Sequence, residues 1–400
     1  MTTDSLPEHI RKPHLRPIQP IPVVQDGKPV VVLRDPIMLS PQSMAVPAQM
    51  MQLIQMFQGN QTVEDLATIA KAPPEQLVQL IQNMDQLGLL WGPTFEELEQ
   101  GVKDKIGEQG YFSINASQSL GGDEDSCRAR LEGYFEETED PELEGSVIGV
   151  VAPHLDYDRG WPNYAAAYYG CQAMDAPDRV VILGTNHFGI GDGVVMSEYG
   201  FESPLGVCPP DEAIVGKLVD RHGKALIVDQ LDHMGEHSIE LHLPWLQYCF
   251  GDIPVVAALI PDPLSPMLED DDERTGTDAF VASLGAALEE AGGRTMFVAS
   301  SDLSHVGPQF GEPVPVDDQR KFDVERHDRE MMAKFIEGDA DEFVEAMKWN
   351  SNSTRWCSIG NMSATLRLAK PGSIELIDYR QACDEKGTVM VTSAAMALMA

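Results

Sequence analysis

Two histidines and two glutamates crowd into the ten positions of GEHSIELHLP (235–244). His237 and His242 are five apart, which at 3.6 residues per turn separates them by about 140° on a helix. They therefore do not make the two-imidazole face of a His-Glu-x-x-His zinc helix. Better-placed chemistry stands at the ends of apolar runs. VIGVVAP (147–153) leads into His154, VVILGTN (180–186) into His187, and TMFVASS (295–301) into Asp302 and His305. In an open α/β sheet, ligands bind beyond the carboxyl ends of the strands. Three strands ending this way leave two chemistries open. One is a metal held by imidazoles from separate strands with coordination positions to spare; the other is a metal-free acid/base site. Ser300, Ser301, Asp302 and His305 do not make a hydrolase triad, because members drawn from six consecutive positions cannot aim independently, and no G-x-S-x-G elbow accompanies them.

The elements that must position these groups can be read around them. The three runs are β-rich without alternation, as in strands buried on both faces. DIPVVAALIP (252–261), SIELIDYRQ (373–381) and TVMVTSAAM (388–396) supply further strands. SCRARLEGYFEE (126–137), WPNYAAAYYGCQAMDA (161–176), TDAFVASLGAALEEAGG (277–293) and much of 318–370 read as helices. This alternation predicts an α/β domain over 112–400, a three-layer mixed sheet flanked by helices and partly antiparallel toward its C-terminal end. MLEDDDERTGT (267–277) reads as an acidic surface loop. GEHSIELHLP enters a helix with Pro244 in or near its first turn, and Glu236 is suited to that N-terminal end.

Ahead of this domain the chain is organised differently. Residues 1–20 read as a Pro-rich extended arm. KPVVVLRDP with the following IMLS suggests a hairpin, and AVPAQMMQLIQMFQGNQ an apolar helix closed near Gly59. TVEDLATIA has Thr62 as N-cap, and PPEQLVQLIQNMDQLGLLW runs a helix into a strand. That is winged-helix order over 21–95. The helix in the recognition position carries Glu75 and Asp85 and no Lys or Arg, which argues against DNA. Residues 96–111 read as an acidic linker.

With 28 basic and 64 acidic residues, the formal charge of the 400-residue chain is -36. A surface this negative repels nucleic acid and anionic membranes. No apolar run approaches the roughly 20 residues of a membrane span, and the N-terminus has no apolar core of a secretory signal. Six scattered cysteines without a C-x-x-C pair suggest reduced thiols in a cytoplasmic protein. Cys127, Cys171, Cys208, Cys249 and Cys383 read as ordinary thiols. Cys357 stands just before a predicted helix, SIGNMSATLRLA, where a lowered thiol pKa suits a ligand or a nucleophile.

GVVAPHLDY (149–157), VVILGTNHFG (180–189), GEHSIELHLP (235–244), SSDLSH (300–305) and WCSIG (356–360), in this order, resemble the Memo family, whose prokaryotic members are called the B component of an AmmeMemoRadiSam system. The resemblance implies a fold similar to class III extradiol dioxygenases, with a metal on His154, His187 and Cys357. Asp302 and His305 would line the same cavity, with His305 in the place of a catalytic histidine. A cysteine where the dioxygenases keep a glutamate points to iron or copper rather than Mg or Ca, and puts ring cleavage itself in doubt. Glu236 and His237 would form the pocket wall, bonding a ligand histidine or substrate. Asn186, Asp156 and Tyr157 neighbour the ligands in sequence and are candidates to line the pocket. NQTVEDLA…PPEQLVQLIQNMDQLGLL resembles the small PqqD-like modules that bind peptides or partner enzymes beside radical chemistry. The family context implies a radical-SAM enzyme or a peptide as partner. Three functional readings follow: a redox enzyme on a small or peptide-borne substrate, a non-enzymatic accessory component with a vestigial metal site, and a metal-dependent hydrolase using bound water.

Overall fold

The computed structural model describes residues 5–40, 42–187, 189, 193–265 and 274–400. It divides into two compact units, one built on residues 1–110 and the other on 111–187 with 191–400. Of the acidic loop expected at 267–277, residues 267–273 lie outside the described part.

In the first unit a short helix α1 (Glu8–Arg11) precedes β1 (Gln19–Gln25), β2 (Lys28–Arg34) and β3 (Met44–Pro47), which form an antiparallel sheet in the order β1-β2-β3. The helices α2 (Met51–Ile54), α3 (Val63–Ala70), α4 (Pro74–Gln86) and α5 (Pro93–Gln109) follow. Thr62 caps α3 through a reciprocal bond with Asp65, so that end was legible. Four expectations are corrected. The hairpin does not pair KPVVVLRDP with IMLS: it joins β1 to β2 through Asp26 and Gly27, both at positive φ (50° and 74°), as an Asp-Gly turn of this kind requires. Of the arm expected at 1–20, the described residues 5–20 are not free. Ile10 is buried, and Arg16, buried too, donates to the Gly88 carbonyl at 2.5 Å and lies 4.0 Å above the Phe95 ring. The acidic linker is the helix α5, with Pro93 in its first turn and Gly110 closing it at φ 80°. Only Phe95 and Ile106 of that helix are buried, too few to leave an apolar period in the sequence. The strand expected after α4 shrinks to a single bridge, Leu15 to Leu90, while the hairpin followed by a helix, a short helix and a long helix stands in the expected order.

Pro20 and Pro22 lie two apart on β1, which pairs on one side only, with β2. A proline has no N–H to give a ladder and is tolerated in a strand where that position faces away from the partner.

The second unit begins with β4 (Tyr111–Phe112) and α6 (Glu124–Glu136), then β5 (Val147–Ala152), α7 (Tyr157–Tyr168) and β6 (Arg179–Thr185). There follow β7 (Val195–Met196), β8 (Gly200–Ser203), β9 (Gly206–Cys208), α8 (Glu212–His222), α9 (Leu243–Phe250), β10 (Val255–Ile260), α10 (Thr277–Ala291), β11 (Thr295–Ser300) and β12 (Asp302–Val306). The remaining elements are α11 (Asp318–Ile336), α12 (Ala340–Trp349), α13 (Ile359–Ala369), β13 (Ser373–Cys383) and β14 (Met390–Met399).

Its main sheet runs β12-β14-β5-β11-β6-β10-β7, with β13 also on β14. β5, β11, β6 and β10 are parallel, and β14, β12, β13 and β7 run against their neighbours. The parallel strands are buried throughout except at their edges, which explains their lack of alternation. β14 serves two faces. Ala394, Met396 and Leu398 join a core with Met332, Phe335, Phe343, Trp356 and Met362. Ser393, pointing the other way as strand alternation requires, accepts from Asn163 on α7 at 2.9 Å. Helices therefore cover both faces of a mixed sheet, the expected α/β arrangement. The parallel strands β5, β11 and β6 are adjacent, so the residues just beyond them converge.

Candidate metal centre

His154, His187 and Cys357 come together at that convergence, their possible ligand atoms all within 4.8 Å of one another. His154 leaves β5 fully buried. Its Nδ1 lies 3.1 Å from the Ser300 carbonyl at the end of β11 and 3.1 Å from the Ser300 hydroxyl. A ring whose Nδ1–H is given to a carbonyl keeps its lone pair on Nε2, and that atom lies 3.3 Å from Cys357 Sγ. Burial, helped by the nearby His187, pushes His154 well below the ordinary histidine range and keeps it neutral.

His187, beyond β6, is held by Glu236. The carboxylate accepts the His187 backbone N–H at 2.7 Å and stands 3.1 Å from its Nδ1. It also accepts the backbone N–H groups of His237 at 2.8 Å and Ser238 at 2.9 Å. Burial would raise the Glu236 carboxyl, but His187 and these bonds hold it far below the usual carboxylate range. Burial would likewise lower His187, yet the Glu236 charge and a bond to Cys357 raise it well above its ordinary value. This corner is a fixed anion that favours positive charge beside it, on an imidazolium or on a metal.

Cys357 sits before α13, whose first turn reaches the site because of Gly360. A Cβ there would overlap the Pro261 carbonyl at the end of β10. Thr185 Oγ1 donates to the Cys357 carbonyl at 3.1 Å. The buried Asn361 donates to the Ser300 carbonyl at 2.5 Å and to Thr185 Oγ1 at 3.2 Å. Asn361 thus ties β11, β6 and α13 together, a role sequence reading missed; its signal was the place in the first turn of α13, four residues after Cys357.

Two imidazoles with fixed Nδ1 partners and a thiol between them match the donor set of a transition-metal site. Metal–nitrogen and metal–sulfur bonds of roughly 2.1 and 2.3 Å in a tetrahedral arrangement imply a separation of about 3.5 Å, close to the 3.3 Å between His154 Nε2 and Cys357 Sγ. The residues present fit a metal. His187, Glu236 and His237 form a second cluster of ligand type that shares His187, and the His237 ring stacks on His187 with centroids 5.1 Å apart.

Asp302 is buried against His154. It accepts the His154 backbone N–H at 3.1 Å, and its other oxygen is 3.8 Å from His154 Nε2. Burial raises its carboxyl to about 7. His305 places Nδ1 3.0 Å from the Leu303 carbonyl and 3.1 Å from that of Arg355; burial pushes it down to about 4. Near neutral pH, then, Asp302 is the group poised to exchange a proton and His305 is a neutral imidazole with Nε2 available.

The candidate lining residues divide. His237 stands beside the cluster. Asn186 donates to the buried Asp232 at 2.8 Å. Asp156 caps α7 by accepting from Arg159 N at 3.3 Å and pairs with the Arg159 side chain at 2.6 Å. Tyr157 is not a pocket residue: it is 1 % exposed, donates to the Leu241 carbonyl at 2.8 Å, and packs on Tyr164 and Trp245. Its aromatic bulk goes to the core because it opens α7 on the helix face turned inward. Glu240 serves the fold: its carboxylate accepts the backbone N–H groups of Asn115, Ala116 and Ser117 at 2.9, 3.0 and 2.9 Å.

His233 and His242 are buried and pushed by burial to about 4 and about 3. Unfolded histidine titrates near 6.5, so as pH falls below about 6.5 the unfolded chain takes up protons that these two rings refuse, and stability is lost toward their folded values. Denaturant titrations from pH 7 to 4.5 are expected to give a shallower loss of stability for His242→Gln than for wild type. Parallel profiles would remove His242 from this account.

A mixed α/β domain that brings two imidazoles, a thiol and a buried carboxylate to the carboxyl ends of its parallel strands is a metal-competent α/β protein. The chain belongs to the Memo family: the family model described as Memo-like protein matches residues 115–398. It is 32% identical over 253 residues to a MEMO1 family protein of Methanococcoides burtonii, covering 62% of this chain and 85% of the relative. A MEMO1 family protein of Aquifex aeolicus is 25% identical over 332 residues, covering 81% and 83% of the two chains. Among the described residues no helix is long and apolar enough to cross a membrane.

Proposed function

We propose that this protein is a metal-dependent redox member of its family, holding iron or copper on His154, His187 and Cys357 and acting on a small or peptide-borne substrate. The observation that carries the reading is the commitment of both Nδ1 atoms, to the Ser300 carbonyl and to Glu236, beside a thiol 3.3 Å from His154 Nε2. Two imidazoles and a thiolate favour a soft, redox-active metal over Mg or Ca, which would supply one-electron chemistry when bound. The chain's own residues do the rest. Glu236 orients His187, Asp302 takes up and returns a proton near neutral pH, and His305 presents Nε2 as a neutral acceptor. A dioxygenase-like ancestry of this site belongs to the same proposal. So does a role for residues 21–95 as a PqqD-like module that holds a peptide or a radical-SAM partner, supported by an α4 that carries acids and no Lys or Arg.

Elemental analysis of protein purified without oxygen tests the centre. Wild type is expected to carry near-stoichiometric iron or copper, and His187→Ala and Cys357→Ser to lose most of it. Metal content unmoved by both substitutions would overturn the ligand set. Oxygen uptake on adding catechols supports the redox reading. Metal-loaded protein inert to catechols and other small reductants favours the accessory role.

A further inference from the structure

His242 belongs to GEHSIELHLP but takes no part in the candidate centre. It is fully buried, its Nδ1 lies 2.9 Å from the Tyr168 hydroxyl, and its Nε2 has no hydrogen-bond partner among the described residues. The hydrogen-bond inventory decides the tautomer. With the proton on Nε2, the phenol donates to Nδ1 and one group stays unpaired; with it on Nδ1, both the phenol O–H and Nε2 are left wanting. The first arrangement leaves fewer orphans, so the Tyr168 proton points at a neutral imidazole, kept neutral by burial.

That arrangement separates Tyr168 from its neighbours. Oxidising a phenol by one electron makes its O–H strongly acidic, so the electron leaves readily only where a base takes the proton. Tyr157 and Tyr164 donate to backbone carbonyls, of Leu241 at 2.8 Å and Leu155 at 3.3 Å, which are not bases. Tyr168 alone of these three faces a base. The path for the electron is also built. Trp245 stacks on Tyr168 with centroids 6.0 Å apart and planes 11° from parallel, and on Tyr134 at 6.1 Å and 15°. Tyr134 stacks on the half-exposed Trp161 at 4.7 Å and 6°. On the other side Trp245 lies parallel to Tyr164 at 5.4 Å, whose hydroxyl bonds the residue next to His154.

We propose that Tyr168 and His242 form a proton-coupled redox pair, connected by Trp245 to the surface at Tyr134 and Trp161. In the step, a trivalent polypyridyl metal complex at the surface takes one electron through the Trp161–Tyr134–Trp245 stack and is reduced to its divalent form. Tyr168 supplies that electron and passes its phenol proton to His242 Nδ1, leaving a neutral tyrosyl radical, an imidazolium and the reduced oxidant. The proposal deepens the redox reading of the metal centre by giving single electrons a route past it.

The test uses the full chain, metal-free and metal-loaded, with a photoexcited ruthenium polypyridyl complex and persulfate as the one-electron oxidant. Electron paramagnetic resonance is expected to record a tyrosyl radical in both forms. Tyr168→Phe should abolish it, while Tyr157→Phe and Tyr164→Phe retain it. His242→Gln should lower its yield and remove the solvent deuterium effect on its formation, a change that loss of packing does not produce; circular dichroism checks each fold. A signal of undiminished size in folded Tyr168→Phe overturns the pair, as does a deuterium effect unchanged in His242→Gln. A Tyr168 radical in protein that never binds metal keeps the pair and removes the metal reading; metal without the radical does the reverse.

Discussion

Glu236→Gln is expected to cost about 3 kcal/mol of stability and to weaken metal binding by about 10- to 100-fold. The carboxylate accepts three backbone N–H groups, of His187, His237 and Ser238, spread over both of its oxygens. Backbone N–H groups cannot turn round to accept. An amide nitrogen placed at either oxygen position therefore faces a donor with a donor, in a site with no exposure. The same change removes the charge that orients His187. Urea unfolding of the metal-free protein measures the first effect and competition with a chelator the second. A glutamine variant as stable as wild type, with unchanged metal affinity, would refute this role.

Asp328 makes the instructive contrast. It is fully buried with no ion pair among the described residues, and burial raises its carboxyl. One oxygen accepts from Ser304 Oγ at 2.5 Å and Trp356 Nε1 at 2.8 Å; the other accepts from Tyr379 Oη at 2.8 Å and Thr392 Oγ1 at 2.6 Å. These donors bracket Trp356, beside Cys357, and Ser304, beside His305. Asp328→Ala strands the Ser304, Tyr379 and Thr392 hydroxyls and leaves Trp356 Nε1 only Ser304 Oγ at 3.1 Å, and is expected to cost about 3–5 kcal/mol. Asp328→Asn should cost only about 1 kcal/mol, because its NH2 can face Tyr379 and Thr392, whose hydroxyls rotate to accept, while its oxygen keeps the Trp356 N–H. Denaturation midpoints that rank alanine and asparagine as equals would show that the hydroxyls are not free to adapt.

The difference between the two carboxylates also marks what a sequence can disclose. His154, His187 and Asp302 were legible because each ends a strand whose apolar run announces itself, and adjacency in the sheet then brings them together. Cys357 has no such run before it; only the order of motifs promoted it, since the contact that fixes its carbonyl, from Thr185, which Asn361 in turn holds, depends on α13 crossing three strand ends. Glu236 was visible as an acid near a helix start, but its actual work, gathering backbone N–H groups beside β6, is tertiary. Tyr157 misled for the opposite reason: nearness to His154 in the chain says nothing about the side on which α7 buries its first turn. Asp328 and Glu240 gave no signal, because their partners lie far away in sequence and an acid inside a polar helix resembles a solvated one. In the first unit the Asp26–Gly27 turn was a local signal that an eye set on longer apolar runs passed over, and α5 hid behind its charges.

The strand β12, which carries Asp302 and His305, joins the main sheet through β14, while β14 also borders β5. The chain thus makes its metal-binding groups and its proton-handling groups in different ways. His154, His187 and Cys357 all leave the ribosome before Met390, whereas β12 gains its place in the sheet only when the strand beginning there arrives. A nascent chain can present the three candidate ligand side chains, with Asp302 bonded to the His154 N–H, while the strand that carries His305 still lacks its β14 partner. Assembly of the candidate ligand cluster and pairing of the strand that carries His305 are separable in time, and the order of synthesis sets which comes first.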